Sequence, residues 1–382
     1  MSESNSLELV LRISTELFGG SIVALAHPGW PAKVRGAAMA LLDQYQPPRF
    51  RSGPGSRRAG APATIIFTSG SGGKLKPVIH GLEQHRASAA ASSVRVPFRP
   101  GDTWLLSLPL CHVSGLSLLF RAADQGGALV LPKPGESLDA ALMRLCPSHV
   151  SLVAAQLSRI LDGPAVEALA RASTVLVGGG PVPRALVARA RGLGIALRQT
   201  YGSTEMASQV ATSAALAAED CGAPLPGTSV RVEGERIWVR SPSAGLALVE
   251  GSGAVVPLTD AEGWWRSSDR GILREGRLTV LGRLDEVFIS GGENVAPETI
   301  EVELLEHPDV ETAIVVPVPD DRFGARPFAF VRARAGKELD LRALIRGLEH
   351  LPPFMRPVGA APLPEEEGLK PSRARLRALV SR

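Results

Sequence analysis

Residues 63–77 read ATIIFTSGSGGKLKP, an apolar segment followed at once by a loop of glycine, serine and lysine. The apolar part has the length and the β-branched content of a buried strand. The small residues after it let backbone N–H groups and hydroxyls close around phosphate oxygens, and lysine adds positive charge. The loop is not a Walker A loop, because Gly70 and Gly73 are too close together and Leu75 follows Lys74. A flexible surface turn is the alternative, and we favour phosphate binding.

Apolar segments alternate with helical ones from residue 63 to about residue 281. This alternation is typical of βαβ units and predicts a largely parallel sheet in an α/β fold. Two of the predicted helices span 138–145 and 183–191. After about residue 222, shorter strands at 229–232 and 236–240 predict a β-rich subdomain.

The two ends of the chain differ in character from this middle part. The C-terminal part predicts a compact α+β unit, with helices at 297–306 and 339–349 and strands at 312–317 and 327–332. The N-terminal segment predicts a strand at 21–26 and a helix at 34–45. Residues 47–63 are rich in proline, glycine, serine and arginine, which indicates an exposed loop or linker.

Composition excludes several classes of protein. The 382 residues are 45% hydrophobic and 21% charged, which suffices for a large domain and a small one. The net charge of +4 is scattered along the chain, and this argues against a nucleic-acid-binding protein. Cys111, Cys146 and Cys221 lie far apart without metal-ligand spacing, which is typical of reduced thiols in a cytoplasmic protein. The sequence predicts no secretory signal and no membrane span.

Taken in order, the loop and the segments after it resemble the motifs of the adenylate-forming enzymes, which include acyl-CoA synthetases, luciferases and peptide-synthetase adenylation domains. The loop is similar to T-S-G-[ST]-T-G-x-P-K, with Gly72 in place of threonine and Leu75 in place of proline. The resemblance implies that the loop binds the phosphates of a nucleotide. The residues concerned are Thr68, Ser69, Gly70, Ser71, Gly72, Gly73, Lys74 and Lys76.

Three more segments are similar to motifs of the same family. LPLCHVSG (108–115) is similar to P-L-x-H-x-x-G, which implies that His112 lines the acyl pocket and takes part in catalysis. VGGGP (177–181) is similar to the glycine turn against which adenine lies, which implicates Gly178, Gly179 and Gly180. YGSTE (201–205) is similar to Y-G-x-T-E. It implies that Tyr201 stacks on adenine beside Gly202, that Thr204 contacts the α-phosphate, and that Glu205 holds Mg²⁺.

The remaining motifs lie toward the C-terminus. The resemblance implies that Asp269, in WRSSDRG (265–271), binds the ribose hydroxyls, and that Arg283, in LGRLD (281–285), reaches the ribose or a phosphate. Asp285 is the expected hinge between two domains. GLKPSR (368–373) is similar to G-K-x-x-R with one residue inserted before the lysine, which makes Lys370 the expected catalytic lysine.

The family resemblance implies a fold and a reaction. We expect a large multi-layer α/β N-terminal domain over residues 1–284, with a shortened N-terminus and a β-rich subdomain, and a small mobile C-terminal cap domain over 286–382 that carries Lys370. The implied enzyme is an acid-thiol ligase that uses ATP, Mg²⁺ and coenzyme A and forms an acyl-adenylate. Rotation at Asp285 is expected to exchange the two half-reactions.

Four strings resemble the o-succinylbenzoate-CoA ligases within this family. They are VSLVAAQLSR (150–159), TEMASQVAT (204–212), DEVFISGGENVAPETIE (285–301) and GLKPSR (368–373). This resemblance implies an aromatic dicarboxylate, o-succinylbenzoate, as substrate in menaquinone or phylloquinone synthesis. Its distal carboxylate needs an anchor, for which Ser114, Ser151, Gln156 or an arginine are candidates.

Other functions remain open at this point. They are another aryl- or acyl-CoA ligase, an adenylating enzyme that loads a carrier protein, and a non-catalytic nucleotide-binding relative. The expected partners are small molecules, with no nucleic acid. Assembly into a homo-oligomer is also left open.

Overall fold

The computed structural model describes residues 9–10, 13–14, 16–17, 23–25, 61–69, 75–214, 220–250, 254–364 and 372–380. The strands are β1 (Val23–Leu25), β2 (Pro62–Ser69), β3 (Leu75–Gly81), β4 (Thr103–Leu105), β5 (Ala128–Val130), β6 (His149–Leu152), β7 (Thr174–Gly178), β8 (Leu197–Ser203), β9 (Ser208–Thr212), β10 (Ala223–Pro224), β11 (Ser229–Glu233), β12 (Arg236–Arg240), β13 (Ala247–Val249), β14 (Val255–Pro257), β15 (Trp265–Arg274), β16 (Arg277–Arg283), β17 (Phe288–Ser290), β18 (Glu293–Val295), β19 (Val310–Asp320), β20 (Gly324–Ala333) and β21 (Ala360–Pro362). The helices that we number are α1 (Leu82–Arg95), α2 (Val113–Gln125), α3 (Leu138–Leu145), α4 (Ala154–Leu161), α5 (Val166–Ala170), α6 (Arg184–Gly192), α7 (Pro297–Leu305), α8 (Leu341–Arg346) and α9 (Arg373–Val380).

A seven-stranded sheet in the order β10-β9-β8-β7-β6-β4-β5 forms the centre of the molecule. The five strands from β8 to β5 are parallel, and β9 and β10 close one edge in antiparallel pairing. Strand β6 is buried at every position, as expected for a strand covered on both faces. One core, with Val150, Val175 and Leu157, packs helices against one face, and a second core, with Leu116 and Trp104, covers the other. These features confirm the predicted α/β fold.

The predicted phosphate-binding loop, here called the phosphate motif (residues 68–77), connects two antiparallel strands. β2 pairs with β3 so that Thr68 faces Lys76 and Ser69 faces Leu75. Helix α1 begins only at Leu82, after β3 has ended. The motif therefore connects the strands of a hairpin in a second sheet, of order β1-β2-β3-β13-β14.

The predicted β-rich subdomain is a four-stranded antiparallel sheet in the order β11-β12-β15-β16. Its inner face contributes Ile237, Val239 and Leu278 to a core that also contains Tyr201 and Met206 of the β8–β9 hairpin. The subdomain is thus packed against the segment that carries the Y-G-x-T-E motif.

The C-terminal part is an α+β unit, as predicted. Helix α7 packs on the sheet β19-β20-β21 through Ile300, Leu304 and Val315. Strands β19 and β20 form a long hairpin and extend several residues beyond the predicted strands 312–317 and 327–332. The division of the chain at residue 285 stays a prediction.

The N-terminal predictions are only partly covered by the described residues. The strand expected at 21–26 is β1, which pairs in parallel with β2. The helix expected at 34–45 and most of the linker expected at 47–63 lie outside the described residues. Within the described part of the chain, no helix is both long enough and apolar enough to cross a bilayer.

Candidate active site

Two of the predicted motifs lie at the carboxyl edge of the parallel strands. β6, β7 and β8 lie side by side and end at Leu152, Gly178 and Ser203. In open α/β sheets, ligands bind in the crevice outside this edge. The glycine turn after β7 and the Tyr201–Glu205 segment at the end of β8 are therefore neighbours across one edge of the sheet.

The glycine turn begins where two strands approach each other too closely for a side chain. A Cβ atom built on Gly178 would lie 2.7 Å from the carbonyl oxygen of Thr200 on β8. Gly179 has a φ of +81°, in the left-handed region that favours glycine. At exposed Gly180, a Cβ atom would contact nothing within 4 Å. The backbone is thus bare at this edge, and its contact with adenine stays a prediction.

The tight β8–β9 hairpin places Thr204 and Glu205 in its turn. A Cβ atom on Gly202 would lie 2.1 Å from the carbonyl oxygen of Ser208, so this position requires glycine. The Glu205 carbonyl accepts a hydrogen bond from the Gly245 N–H at 2.7 Å, which fixes the turn to the segment before β13. The pairing of β8 with β9 and this hydrogen bond together position the turn.

The electrostatics at Glu205 suit a divalent cation. Burial raises the pKa of its carboxyl, and the charge of Asp269 raises it further, against the opposite effect of Arg283. No group of three His, Cys, Asp or Glu side chains among the described residues is arranged to hold a metal ion by itself. Mg²⁺ typically binds one or two carboxylates together with the phosphates of a substrate, so a single carboxylate here is compatible with it.

A chain of polar contacts runs from Tyr201 to the expected hinge. The Tyr201 hydroxyl donates to Asp269 Oδ2 at 2.6 Å, and Arg283 Nη1 lies 3.4 Å from Asp269 Oδ1. Arg283 also forms a two-pronged pair with Asp285, with N–O distances of 2.8 and 2.7 Å. Burial opposes the charge on Arg283, but the bond to Asp285 and the charge of Asp269 outweigh it and raise its pKa above the ordinary value.

These polar contacts bring together three predicted site residues, Tyr201, Asp269 and Arg283. Burial, and then the carboxylate of Asp269, raises the pKa of the Tyr201 hydroxyl well above its ordinary value, so Tyr201 remains a hydrogen-bond donor. Asp269 is thereby oriented by Tyr201 and Arg283 at once. Its contact with ribose, the stacking of adenine on Tyr201 and the ribose or phosphate contact of Arg283 stay predictions.

Two expected phosphate-binding groups lie largely outside the described residues. Gly70, Ser71, Gly72, Gly73 and Lys74 are not described, nor is the side chain of Ser69. At the described end of the loop, the Thr68 hydroxyl donates to the Lys76 carbonyl at 3.2 Å, and Lys76 is exposed. Lys370 also lies outside the described residues.

The two candidate residues of the H-x-x-G segment start helix α2. His112 is its N-cap residue with an extended backbone, and both His112 and Ser114 are half-buried. Gly115 packs directly on the preceding loop, because a Cβ atom there would lie 2.3 Å from the Pro109 carbonyl oxygen. His112 therefore lies at the N-terminus of the helix, and its role in the acyl pocket stays a prediction.

The other two candidate anchors already make contacts within the protein. Ser151 is buried in β6, and its hydroxyl oxygen accepts a hydrogen bond from Trp104 Nε1 at 3.1 Å. Gln156 Oε1 accepts a hydrogen bond from the Val153 N–H at 3.0 Å and so caps its own helix, α4. These contacts leave each residue with reduced capacity for a ligand.

Arg121 is the polar residue that the sequence motifs did not single out. It is only 4% exposed on α2, and Nη2 donates to Gln209 Oε1 at 2.8 Å and to the Ser208 hydroxyl at 3.3 Å. Its guanidinium carbon lies 5.0 Å from the centre of the Trp104 ring. Among the described residues, Nε has no hydrogen-bond partner and no carboxylate pairs with the guanidinium. Burial lowers the pKa of Arg121 to about 10, so it is charged at neutral pH.

A buried cation without a carboxylate is suited to bind an anionic ligand. Ser208 and Gln209 directly follow the turn that carries Thr204 and Glu205. Arg121 therefore adjoins the hairpin of the candidate site. The signal in the sequence was a single arginine in the apolar run LSLLFRAA (116–123), whose partners lie 87 and 88 residues away in the chain.

Comparison with known proteins identifies the family. The model of the AMP-binding enzyme family matches residues 23–245, and that of the AMP-binding enzyme C-terminal domain matches 299–367. The chain belongs to the AMP-binding enzyme family. The resemblance that the motifs indicated is thus confirmed.

Several AMP-binding enzymes are similar over most of their length. The 2-succinylbenzoate–CoA ligase of Salmonella typhimurium is 39% identical over 98% of this chain and 78% of its own length. The Escherichia coli enzyme of the same name is 38% identical over 84% of this chain and 69% of its own. Among solved structures, an E. coli MenE variant with bound OSB-AMS has a TM-score of 0.84 at 31% identity, covering 99% of this chain and 86% of that one.

Proposed function

We propose that this AMP-binding enzyme joins o-succinylbenzoate to coenzyme A through an acyl-adenylate. The observation that carries the proposal is the buried, carboxylate-free guanidinium of Arg121 beside the hairpin of Thr204 and Glu205. A substrate with a second carboxylate suits such a cation, and the chain is 39% identical to a ligase named for such a substrate. The E. coli structure with OSB-AMS supports the same substrate class.

The first half-reaction makes the acid reactive. A carboxylate oxygen attacks the α-phosphorus of ATP, a P–O bond to the β-phosphate breaks, and pyrophosphate leaves. The enzyme's task is to hold the two anions together and to neutralise their charge. Thr204 is proposed to contact the α-phosphate, and Asp269, oriented by Tyr201 and Arg283, is proposed to bind the ribose hydroxyls. Arg121 holds the distal carboxylate in this proposal.

In our proposal, Mg²⁺ and Lys370 supply the remaining positive charge for this step. When bound, Mg²⁺ neutralises phosphate charge, and Glu205 would supply its protein ligand. A B. subtilis MenE structure in complex with ATP and magnesium ion, 26% identical with a TM-score of 0.72, supports this cofactor. Lys370 is proposed to contact the same charge from the C-terminal part.

The second half-reaction transfers the acyl group. The coenzyme A thiol loses its proton and attacks the acyl carbon, and AMP leaves with the oxygen that joined the two. The thiol needs a path to that carbon, so Lys370 has to withdraw between the half-reactions. Rotation at Asp285 is the motion that we propose.

Cys111, Cys146 and Cys221 are all free thiols, in keeping with the expected cytoplasmic location.

The test is product formation from a panel of acids. The purified protein is incubated with ATP, Mg²⁺, coenzyme A and either o-succinylbenzoate, benzoate or hexanoate, and the coenzyme A thioester is quantified by mass spectrometry. We expect the highest kcat/KM with o-succinylbenzoate. A higher kcat/KM with benzoate or hexanoate would contradict the proposal that o-succinylbenzoate is the substrate. Pyrophosphate release without transfer to coenzyme A would favour an enzyme that loads a carrier protein.

A further inference from the structure

Trp104 is a fully buried aromatic residue that lies against the cation of the candidate site. It is on β4 and 0% exposed, and the guanidinium carbon of Arg121 lies over its ring, 5.0 Å from the ring centre. The face of an aromatic ring carries negative potential and attracts a cation, most strongly where water is excluded. Arg121 is only 4% exposed, so the ring stabilises a guanidinium that burial has removed from water.

The other contacts of Arg121 are with neutral groups. Its Nη2 donates to Gln209 Oε1 at 2.8 Å and to the Ser208 hydroxyl at 3.3 Å, and no carboxylate in the described part of the chain pairs with it. A carboxylate in the place of the Trp104 ring would cancel the charge and occupy the donors that an anionic ligand needs. The ring stabilises the charge without cancelling it, so the charge stays available to a ligand.

The position of Trp104 is itself fixed by its neighbours. Its Nε1 donates to the Ser151 hydroxyl oxygen at 3.1 Å, on the adjacent strand β6. Its ring centre lies 5.2 Å from that of Phe98, edge to face, and 5.0 Å from that of His149. His149 is only 3% exposed, and its Nε2 is hydrogen-bonded to the Pro97 carbonyl at 2.9 Å. The ring is therefore held by β6 and by the segment before β4.

Two candidate anchors of the distal carboxylate thus contact the same side chain. The ring of Trp104 contacts Arg121, and its N–H contacts Ser151. We propose that Trp104 is a positioning residue for substrate choice: its ring sets where the Arg121 guanidinium lies, and thereby the preference for an acid with a second carboxylate. This inference rests on the proposed function and assigns Trp104 no contact with the substrate.

The alternative is that Trp104 only stabilises the core. The two roles differ in which acids they affect. Loss of core packing lowers the amount of folded enzyme and reduces the rate with every acid by the same factor. A role through Arg121 concerns only an acid that has a second carboxylate. The ratio of kcat/KM for o-succinylbenzoate to kcat/KM for benzoate separates the two roles, because the concentration of folded enzyme cancels in it.

The experiment compares Trp104→Phe with Leu142→Ala. Phenylalanine keeps a ring but attracts a cation less strongly than tryptophan, so we expect the ratio to fall roughly tenfold, mainly through a higher KM for o-succinylbenzoate. The rate with benzoate should change little. Leu142 is 0% exposed in the core on the other face of the central sheet, so Leu142→Ala should lower thermal stability and leave the ratio at its wild-type value.

A double variant tests whether Trp104 acts through Arg121. If it does, Trp104→Phe should lower the ratio no further in an Arg121→Met background, because the group that it positions is already absent. A full additional loss in the double variant would overturn the proposed role.

Fluorinated tryptophan covers the case in which Trp104→Phe does not fold. Fluorine draws electron density from the ring face and weakens its attraction for a cation, while the size of the side chain and its N–H are nearly unchanged. The protein is produced with fluorotryptophan at all five tryptophan positions, and effects at the other positions act on both acids alike. We expect a higher KM for o-succinylbenzoate and a lower ratio.

An unchanged ratio in the fluorinated protein would overturn the role of the ring. This holds even if Trp104→Phe lowers the ratio, because the effect would then lie at the bond to Ser151. An unchanged ratio in folded Trp104→Phe would overturn it as well. Failure of the wild-type enzyme to prefer o-succinylbenzoate over benzoate would refute the proposed function itself.

Discussion

Individual residues set the charge of this site. Arg121 is a cation without a carboxylate, whereas Glu205 is a carboxylate whose pKa is raised by burial and then by Asp269. Glu205 lies within the β8–β9 turn, and Arg121 bonds Ser208 and Gln209, which directly follow this turn. A group suited to an anion and a group suited to a cation therefore lie next to the same hairpin turn.

Arg121→Met should remove the anchor for the distal carboxylate. The loss of a charged hydrogen bond is worth about 2 to 3 kcal/mol, so kcat/KM for o-succinylbenzoate should fall roughly 30- to 150-fold. The rate with benzoate, which lacks the second carboxylate, should change little. Steady-state kinetics with both acids measure this, with Arg86→Met on the exposed side of α1 as control. An equal loss for both acids would contradict the anchoring role.

His80 should make stability depend on pH. It is fully buried beneath the Thr204–Glu205 turn, and burial lowers its pKa to about 4 despite the opposing contacts with the Thr204 and Glu205 backbone. The folded state thus binds fewer protons than the unfolded state between pH 4 and the ordinary histidine pKa of about 6.5, so stability is lost as the pH falls through this window. We measure the free energy of unfolding of the wild type and of His80→Asn in urea. The difference between the two free energies should decrease by up to about 3 kcal/mol from pH 7 to pH 4. Exposed His350→Asn is the control, and a constant difference for His80→Asn would contradict the account.

Sequence alone identified many candidate residues and missed the partners of others. Tyr201, Asp269 and Arg283 follow family motifs, and the structure brings Asp269 within hydrogen-bonding distance of both Tyr201 and Arg283. Arg121 has no such motif, and its contacts depend on packing between α2 and the β8–β9 hairpin. Such long-range contacts cannot be read from local residue patterns.

The β8–β9 hairpin is the element on which the proposed chemistry depends. Its tight pairing leaves no room for a side chain at Gly202, which faces the Ser208 carbonyl. The hairpin also packs against the β-rich subdomain through Tyr201 and Met206. Any change that separates its strands should therefore move Thr204 and Glu205 together.

Gly202→Ala should disturb this element. The added methyl group would lie 2.1 Å from a backbone oxygen, so the strands must separate, at a cost of about 1 to 3 kcal/mol. We expect a lower melting temperature and weaker ATP binding by calorimetry. Gly180→Ala, where the methyl group meets nothing within 4 Å, is the matched control for stability. Wild-type stability and ATP affinity in Gly202→Ala would show that the hairpin tolerates more movement than proposed.

At the level of elements, alternation of apolar and helical segments predicted most of the architecture. The helix predicted at 138–145 is observed at Leu138–Leu145, because a serine cap and a clear apolar face define it. The strands β19 and β20 are longer than predicted, since pairing between them extends over residues such as Pro319, Asp320 and Gly324, whose types are uncommon in strands. The phosphate motif gave no local sign that an antiparallel strand would follow it.

The two parts of the molecule touch through Arg334. Its Nη1 donates to Ser158 at 2.7 Å and lies 3.3 Å from Asp162, both on or next to α4. Asp162 is also bonded by Arg189 at 2.5 Å. Contacts of this kind, between residues 172 and 176 positions apart, depend on the relative placement of two cores and have no signature in the sequence.

Arg334→Ala and Asp162→Ala should therefore be energetically coupled. A double-mutant cycle by urea unfolding should give a coupling free energy of about 1 kcal/mol, as expected for a half-exposed charged pair with a shared hydrogen bond. The pair Lys337 and Asp309, at 3.3 Å within the C-terminal part alone, is the comparison. If the Arg334 cycle gives no coupling, this contact does not contribute to stability in solution.

The most direct test of the central claim is to look for the acyl-adenylate. The enzyme is incubated with ATP, Mg²⁺ and o-succinylbenzoate without coenzyme A, the reaction is quenched in acid, and the nucleotides are identified by mass spectrometry. We predict the mixed anhydride of o-succinylbenzoate and AMP together with an equal amount of pyrophosphate, and its disappearance when coenzyme A is added. Formation of ADP and phosphate, or no consumption of ATP until coenzyme A is present, would contradict the proposed reaction.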